Sequence, residues 1–197
     1  MDRPFSQACE NNKAPILAVL KKHFSGVDFV LEIGSGTGQH AAHFASNLAH
    51  LKCQPADRPE YIDGINLWCE AASLSNLLPP LQLDVNQPWP IHSAAAIFSA
   101  NTLHIMSWEE VEKFFRGIKC TLQNQGFLCI YGPFNYHGNF SSESNSEFDQ
   151  WLKSRDPLSG IRDFEAINKL AIAAGLMLQA DYSMPSNNRC LIWQKTE

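Results

Sequence analysis

At 197 residues the chain is long enough for one domain with a sizeable core, and its 45% hydrophobic and 18% charged content excludes a disordered or fibrous protein. A formal net charge of -5 argues against a nucleic acid as the main partner, because phosphate backbones are held by basic faces. A small molecule or a protein is the more expected partner, and no run reaches the roughly 18 apolar residues that a membrane span needs.

The opening stretch MDRPFSQACENNK has no apolar h-region and no small-residue cleavage site, so a cytoplasmic location is expected. Six scattered cysteines without a C-x-x-C pair read as reduced thiols. Seven histidines without an H-x-x-x-H or H-E-x-x-H arrangement give no support for a metal site. In chain order, Pro15 to Phe24 sets Ile16, Val19, Leu20 and Phe24 at helical spacing, and Gly26 closes this N-terminal helical segment, residues 1–26. Asp28 to Ile33 is short, apolar and stopped by glycine, as expected of a buried strand. Gln39 to Leu48 reads as a helix, Leu51 to Ala56 as a second strand ending at Asp57, Ile62 to Ala72 as a helix, and Leu81 to Val85 as a third strand behind Pro79 and Pro80. Ala94 to Ala100 (AAAIFSA) is apolar enough for the middle of a parallel sheet.

Trp108 to Leu122 puts Val111, Phe114, Phe115, Ile118 and Leu122 on one face, the clearest helical pattern in the chain. Gly126 to Tyr131 is the fifth strand. Asn135 to Ser146 is rich in Gly, Ser and Asn and reads as loop, followed by a helix over Glu147 to Lys153. A further helix carries Phe164, Ile167, Leu170, Ala171 and Ala174, and two strands, Leu176 to Ser183 and Arg189 to Gln194, flank the turn MPSNN. This alternation predicts an α/β three-layer sandwich: a mostly parallel, seven-stranded, doubly wound sheet with an antiparallel C-terminal hairpin, in a single domain over residues 1–197.

The stretch LEIGSGTGQHAAHFA, Leu31 to Ala45, places Gly34, Gly36 and Gly38 on alternate positions straight after the first strand. In an open α/β sheet that loop borders the crevice where ligands bind, and bare main chain lets a ligand pack directly on it. Dinucleotide sites require G-x-G-x-x-G, and the third glycine position here is Gln39, which disfavours a nicotinamide oxidoreductase. Glu32 stands two residues before the first glycine. A carboxylate there repels a phosphate and attracts an amino group or a sulfonium, so a positively charged ligand is expected. Asp57 lies 19 residues after Gly38, where an acid can accept both hydroxyls of a ribose; taken alone, it reads equally well as a helix cap or an Asx-turn.

S-adenosylmethionine carries such positive charge, and the E-x-G-x-G-x-G stretch resembles the class I methyltransferases, whose sheet is Rossmann-like. The pieces ACENNKAPIL, QPADRPEYIDGI, NTLHIMSW, YGPFNYHGNFSSESNSEFDQWLKSRDP, GIRD and MPSNN are similar to the uncharacterised methyltransferase family that includes methyltransferase-like protein 26. The resemblance spans essentially the whole chain. It implies an enzyme that uses S-adenosyl-L-methionine and leaves the acceptor open. It further implies that Glu32 orders the loop and reaches the methionine portion, that Gly34, Ser35, Gly36 and Gly38 lie against the cofactor, and that Asp84 accepts from the adenine amino group with Val85 against the ring; taken alone, Asp84 reads at least as well as a cap. Asn101 would orient cofactor or acceptor, and His104 would take a proton from an acceptor hydroxyl or amine; a loop histidine packed under the next helix is the plain alternative. Tyr131, at the end of the fifth strand, is the second candidate catalytic side chain.

Base-methylating enzymes share an Asn/Asp/Ser-Pro-Pro-aromatic motif where this chain has Asn101, Thr102, Leu103 and His104, which favours a small oxygen or nitrogen acceptor over a nucleic-acid base. Residues 134–160 are long enough to form a lid over the crevice. Asn12, Lys13, Tyr136, Asn145 and Arg155 are candidate acceptor-side residues, with Lys13 able to face the cofactor carboxylate. Arg155, Asp156, Arg162 and Asp163 alternate in sign, as either an anion clamp or a salt-bridge knot at a helix end. The competing reading is a noncatalytic S-adenosylmethionine-binding protein acting through a protein partner, and a homodimer is compatible with either.

Overall fold

The computed structural model describes residues 2–196. Seven strands form one sheet: β1 (Phe29–Ile33), β2 (Lys52–Asp57), β3 (Leu81–Gln82), β4 (Ala94–Ala100), β5 (Leu122–Gly132), β8 (Leu176–Met184) and β9 (Asn188–Lys195). Their order is β3-β2-β1-β4-β5-β9-β8. All pairings are parallel except β5 with β9 and β8 with β9. The chain runs outward from β1 through β2 to β3 and then crosses back to β4, so the order reverses between β1 and β4. Ligands of open α/β sheets bind beside such a reversal. A separate two-stranded parallel ribbon joins β6 (Phe134–Asn135) to β7 (Arg162–Asp163).

Alternation along the strands divides the core in two. Leu31, Ile97, Leu128, Ile130 and Trp193 face α4 (Trp108–Thr121) and α6 (Phe164–Ala173). Val30, Phe98, Cys129 and Ile192 face α1 (Gln7–His23) and α2 (Gln39–Asn47). Helix α3 (Ile62–Ala72) sends Ile65 into full burial and packs beside α2, and α5 (Glu143–Arg155) completes the set. On α4, Val111, Phe114, Phe115 and Ile118 are buried, each contributing about 1.5–3 kcal/mol of transfer free energy. A capping box fixes where α4 starts: Ser107 Oγ accepts from the Glu110 amide at 3.2 Å, and Glu110 Oε2 accepts from the Ser107 amide at 2.8 Å.

Several elements differ from their sequence expectation, among them β5, which starts at Leu122 and not at Gly126, and the β6/β7 ribbon, which was not expected. Helix α1 begins at Gln7 and runs through Pro15, because Ser6 caps it and contacts with α2 hold its polar first turns. Helix α5 starts at Glu143, four residues early, because the Ser142 side chain accepts from the Asn145 amide at 3.1 Å. Strand β3 keeps only Leu81 and Gln82, after which Asp84 bends the chain away. Among the described residues no helix is long and apolar enough to cross a membrane.

Candidate functional site

A cavity of about 310 Å³ opens beside the sheet reversal, at the carboxyl ends of β1, β2 and β4. Its size falls at the lower end of the range for small-molecule pockets. The loop after β1 gives it a floor of main chain. Gly36 has φ +55° and no atom within 4 Å of where a Cβ would stand, so its backbone lies open to the cavity. Gly34, at φ +75°, is bare for another reason: a Cβ would come within 2.5 Å of Thr102 Oγ1, so the loop after β4 closes directly onto it. Gly38 stands outside the cavity wall, against α3.

Of the carboxylates, Asp57, Asp84 and Glu110 line the cavity. Asp57 Oδ2 accepts from the Gly36 amide at 2.7 Å, and Oδ1 accepts from the Arg58 amide at 2.8 Å. Burial pushes its pKa above the ordinary carboxylate value against those two bonds. Asp84 Oδ1 accepts from the Asn86 amide at 2.8 Å, an Asx-turn on the cavity rim, with Val85 beside it in the lining. Burial acts upward on Glu110, but the Ser107 amide and the Asn86 side chain outweigh it and hold its carboxyl below the ordinary value.

Glu32 lies behind this surface. It points to the α1/α2 side of β1, 5% exposed, where its Oε2 accepts from Ser35 Oγ at 3.0 Å and its Oε1 lies 4.0 Å from His40 Nδ1. Desolvation pushes the carboxyl up to about 8 and the His40 imidazole down to about 4. Both are therefore uncharged at neutral pH and the contact is not an ion pair. The carboxylates that line the cavity are thus those of β2, the loop after β3 and α4, rather than the one preceding the glycines.

The other sequence candidates divide between the cavity and the scaffold. Ser35 and Asn101 line the cavity, and Asn101 adopts a left-handed conformation at φ +55°. His104 does not line it; it is 8% exposed, packs edge-on against Phe148 at 5.3 Å, and is pushed by burial to about 4. Tyr131 is buried on the α1/α2 side, and desolvation raises its hydroxyl pKa, with Asn12 and Asn188 acting in the opposite direction. Asn12 Oδ1 lies 2.6 Å from His40 Nε2, and Lys13 pairs with Glu10 at 2.6 Å. Tyr136 donates to Asp181 at 2.7 Å, Asn145 donates to Ser141 Oγ and to the Asn187 carbonyl, and Arg155 lies over the Trp151 ring at 4.8 Å. None of these five lines the cavity, nor does any other residue of 134–160.

The segment that does cover the cavity is the N-terminal one, a role that its polar composition does not announce. Ser6, Ala8 and Cys9 form part of the wall. They are pinned by Gln39, which accepts from the Ser6 amide at 2.5 Å and donates to Glu10 at 2.9 Å, and by the Trp68 indole, which donates to the Pro4 carbonyl at 2.7 Å. Gln39 is 2% exposed. The side chain that departs from the dinucleotide pattern is therefore the clasp for this strap. Arg58, Tyr61, Ile105 and Met106 also line the cavity and were not among the sequence candidates; only their places beside the motif strand ends could have signalled them.

The sheet order, the antiparallel final strands and the helices on both faces define a Rossmann-like methyltransferase fold. An O-methyltransferase family protein from Burkholderia thailandensis superimposes with a TM-score of 0.84 at 16% identity, over 96% of this chain and 58% of that one. Human N-acetylserotonin methyltransferase, in complex with S-adenosylmethionine, gives 0.81 at 15% identity, over 97% of this chain and 53% of that one. YcgJ from Bacillus subtilis gives 0.72 at 15% identity, over 93% and 99%. The chain thus spans little more than half the length of the first two, and at these identities the likeness concerns the fold. Residues 3–195 match the model of the family described as protein of unknown function (DUF938), and the chain belongs to that family.

Proposed function

We propose that the protein is an S-adenosyl-L-methionine-dependent methyltransferase acting on a small oxygen or nitrogen acceptor, and that its family neighbours include methyltransferase-like protein 26. The observation that carries this reading is the open main chain at Gly36, flanked by cavity-lining Asp57 and Asp84 at the sheet reversal. The donor set suits the cofactor: each Asp57 oxygen accepts one amide and keeps lone-pair capacity for a ribose hydroxyl, and three carboxylates suit a ligand of net positive charge. In this reading Gly34, Ser35 and Gly36 support the cofactor, Asp57 takes the ribose, Asp84 and Val85 take the adenine, and Asn101 orients the methionine end or the acceptor. Glu32 and Gly38 act one step back, fixing the loop through Ser35 and through α3.

S-adenosylmethionine, when bound, supplies a methyl group on a sulfonium for transfer to a nucleophilic oxygen or nitrogen. The chain's share is alignment and exclusion of water, which can supply most of the acceleration of such a displacement. His104, uncharged down to about pH 4, is a weak proton acceptor, and burial raises the pKa of the Tyr131 hydroxyl, which keeps its proton. In this reading neither drives deprotonation, since both stand outside the cavity wall. A cytoplasmic location fits this reading. Incubation of the purified chain with a methyl-labelled donor and pooled metabolites tests it: label appears in a small-molecule product. Label confined to unreacted donor, with the donor nevertheless bound, would leave only a noncatalytic binding protein.

A further inference from the structure

We propose, on the methyltransferase reading above, that the acceptor is a lipophilic small molecule carrying no carboxylate or phosphate, seated against Ile105, Met106 and Tyr61 at the cavity mouth. Ile105 is 54% exposed, and the turn that carries it is tied down at every carbonyl. Arg162 Nε donates to the Leu103 carbonyl at 3.1 Å, the Gly160 amide to that of His104 at 2.9 Å, Ser159 Oγ to that of Ile105 at 3.2 Å, and Arg162 Nη2 to that of Met106. The Ile105 amide donates to Thr102 at 3.1 Å. A turn held in this way cannot roll its isoleucine inward, so the fold maintains a large apolar side chain at the rim at the expense of burying it. Tyr61, 39% exposed, adds an aromatic face from the turn after β2.

Charge selects further. Arg58 is the one Lys or Arg among the described residues that line the cavity, and it is paired with Glu60 at 3.0 Å and lies over the Tyr61 ring at 5.7 Å. Asp57, Asp84 and Glu110 line the same space, so an acceptor anion meets three carboxylates and no free cation there. The two arginines that the sequence offered as an anion clamp are engaged elsewhere, Arg162 on backbone carbonyls and Arg155 on Trp151. A nucleoside of the cofactor's size takes most of a cavity of about 310 Å³, which leaves the acceptor at the mouth.

The test is a calorimetric titration of the full chain, first with S-adenosylhomocysteine and then, once saturated, with 2-naphthol, 2-naphthylmethylamine and 2-naphthoate. The alcohol and the amine should bind, the carboxylate about fivefold more weakly or worse, and Ile105→Lys should tighten naphthoate about fivefold while retaining S-adenosylhomocysteine. Naphthoate binding as tightly as naphthol, failure of all three probes, or an Ile105→Lys variant that retains S-adenosylhomocysteine without gaining naphthoate would each overturn the proposal. Failure of the first titration would instead remove the cofactor reading, and this proposal with it.

Discussion

Asp57 and Gly34 show how much depends on single atoms at the end of a strand. Asp57 joins β2 to the glycine loop through the Gly36 amide, so it shapes the floor that it also faces. Asp57→Ala should weaken S-adenosylhomocysteine binding by about 1–3 kcal/mol, measured by calorimetry; unchanged affinity would remove the ribose contact. Gly34 is limited by contact as well as by φ. Gly34→Ala would drive a Cβ into the Thr102 side chain and should cost about 1–3 kcal/mol in denaturant unfolding, whereas the same change at Gly36, where the space is open, should lower ligand affinity more than stability. Alternating glycines were visible in the sequence as a loop without side chains. That Gly34 serves Thr102, Gly36 the cavity and Gly38 the contact with α3 was not, because each reason lies in a partner far along the chain.

Secondary structure was most legible where periodicity and chain chemistry agreed. Strand β4 and helix α3 fall on their expected boundaries, and α4 ends one residue short of its own. The first turns of α1 were illegible, since Gln7 to Lys13 have no apolar stripe and owe their helix to Gln39 and His40 of another element. The ribbon of β6 and β7 was illegible too, because two-residue strands leave no pattern. Residues 134–160, read as a lid, lie outside the cavity wall, and the strap takes that place. Gln39→Ala removes the acceptor for Ser6 and the donor to Glu10. Amide exchange should then speed up over residues 7–13 and stay slow at the buried Ile16 to Leu20 turn; equal protection across α1 in the variant would show that Gln39 is not the clasp.

At the scale of the whole molecule, buried titratable groups set a pH optimum. Glu32 keeps its proton in the native state up to about pH 8, whereas its ordinary value is 4.5. Between those values the unfolded chain binds fewer protons than the native one, so rising pH favours unfolding, by up to about 1.4 kcal/mol per unit. His40 and His104 act in the opposite sense: pushed down to about 4 from 6.5, they leave the unfolded chain to take up protons first as the solution is acidified. His23 and His43 are lowered as well, so the acid-side loss covers four imidazoles and the decline due to Glu32 emerges above neutrality. Denaturant midpoints at pH 7.25 and 8 in the wild type and in Glu32→Gln check this: the wild type should fall more steeply than the variant across that interval, and equal slopes would mean Glu32 is ionised in the native state.

The same buried carboxyl sits behind a cavity whose exposed acids suit a cationic nucleoside and whose loop lacks the third glycine of a dinucleotide site. Parallel calorimetric titrations of the full chain with S-adenosylmethionine and with NADH test that contrast most directly. Saturable heat with S-adenosylmethionine and none with NADH is the expected result; no binding of S-adenosylmethionine, or binding of NADH in its place, would contradict the account.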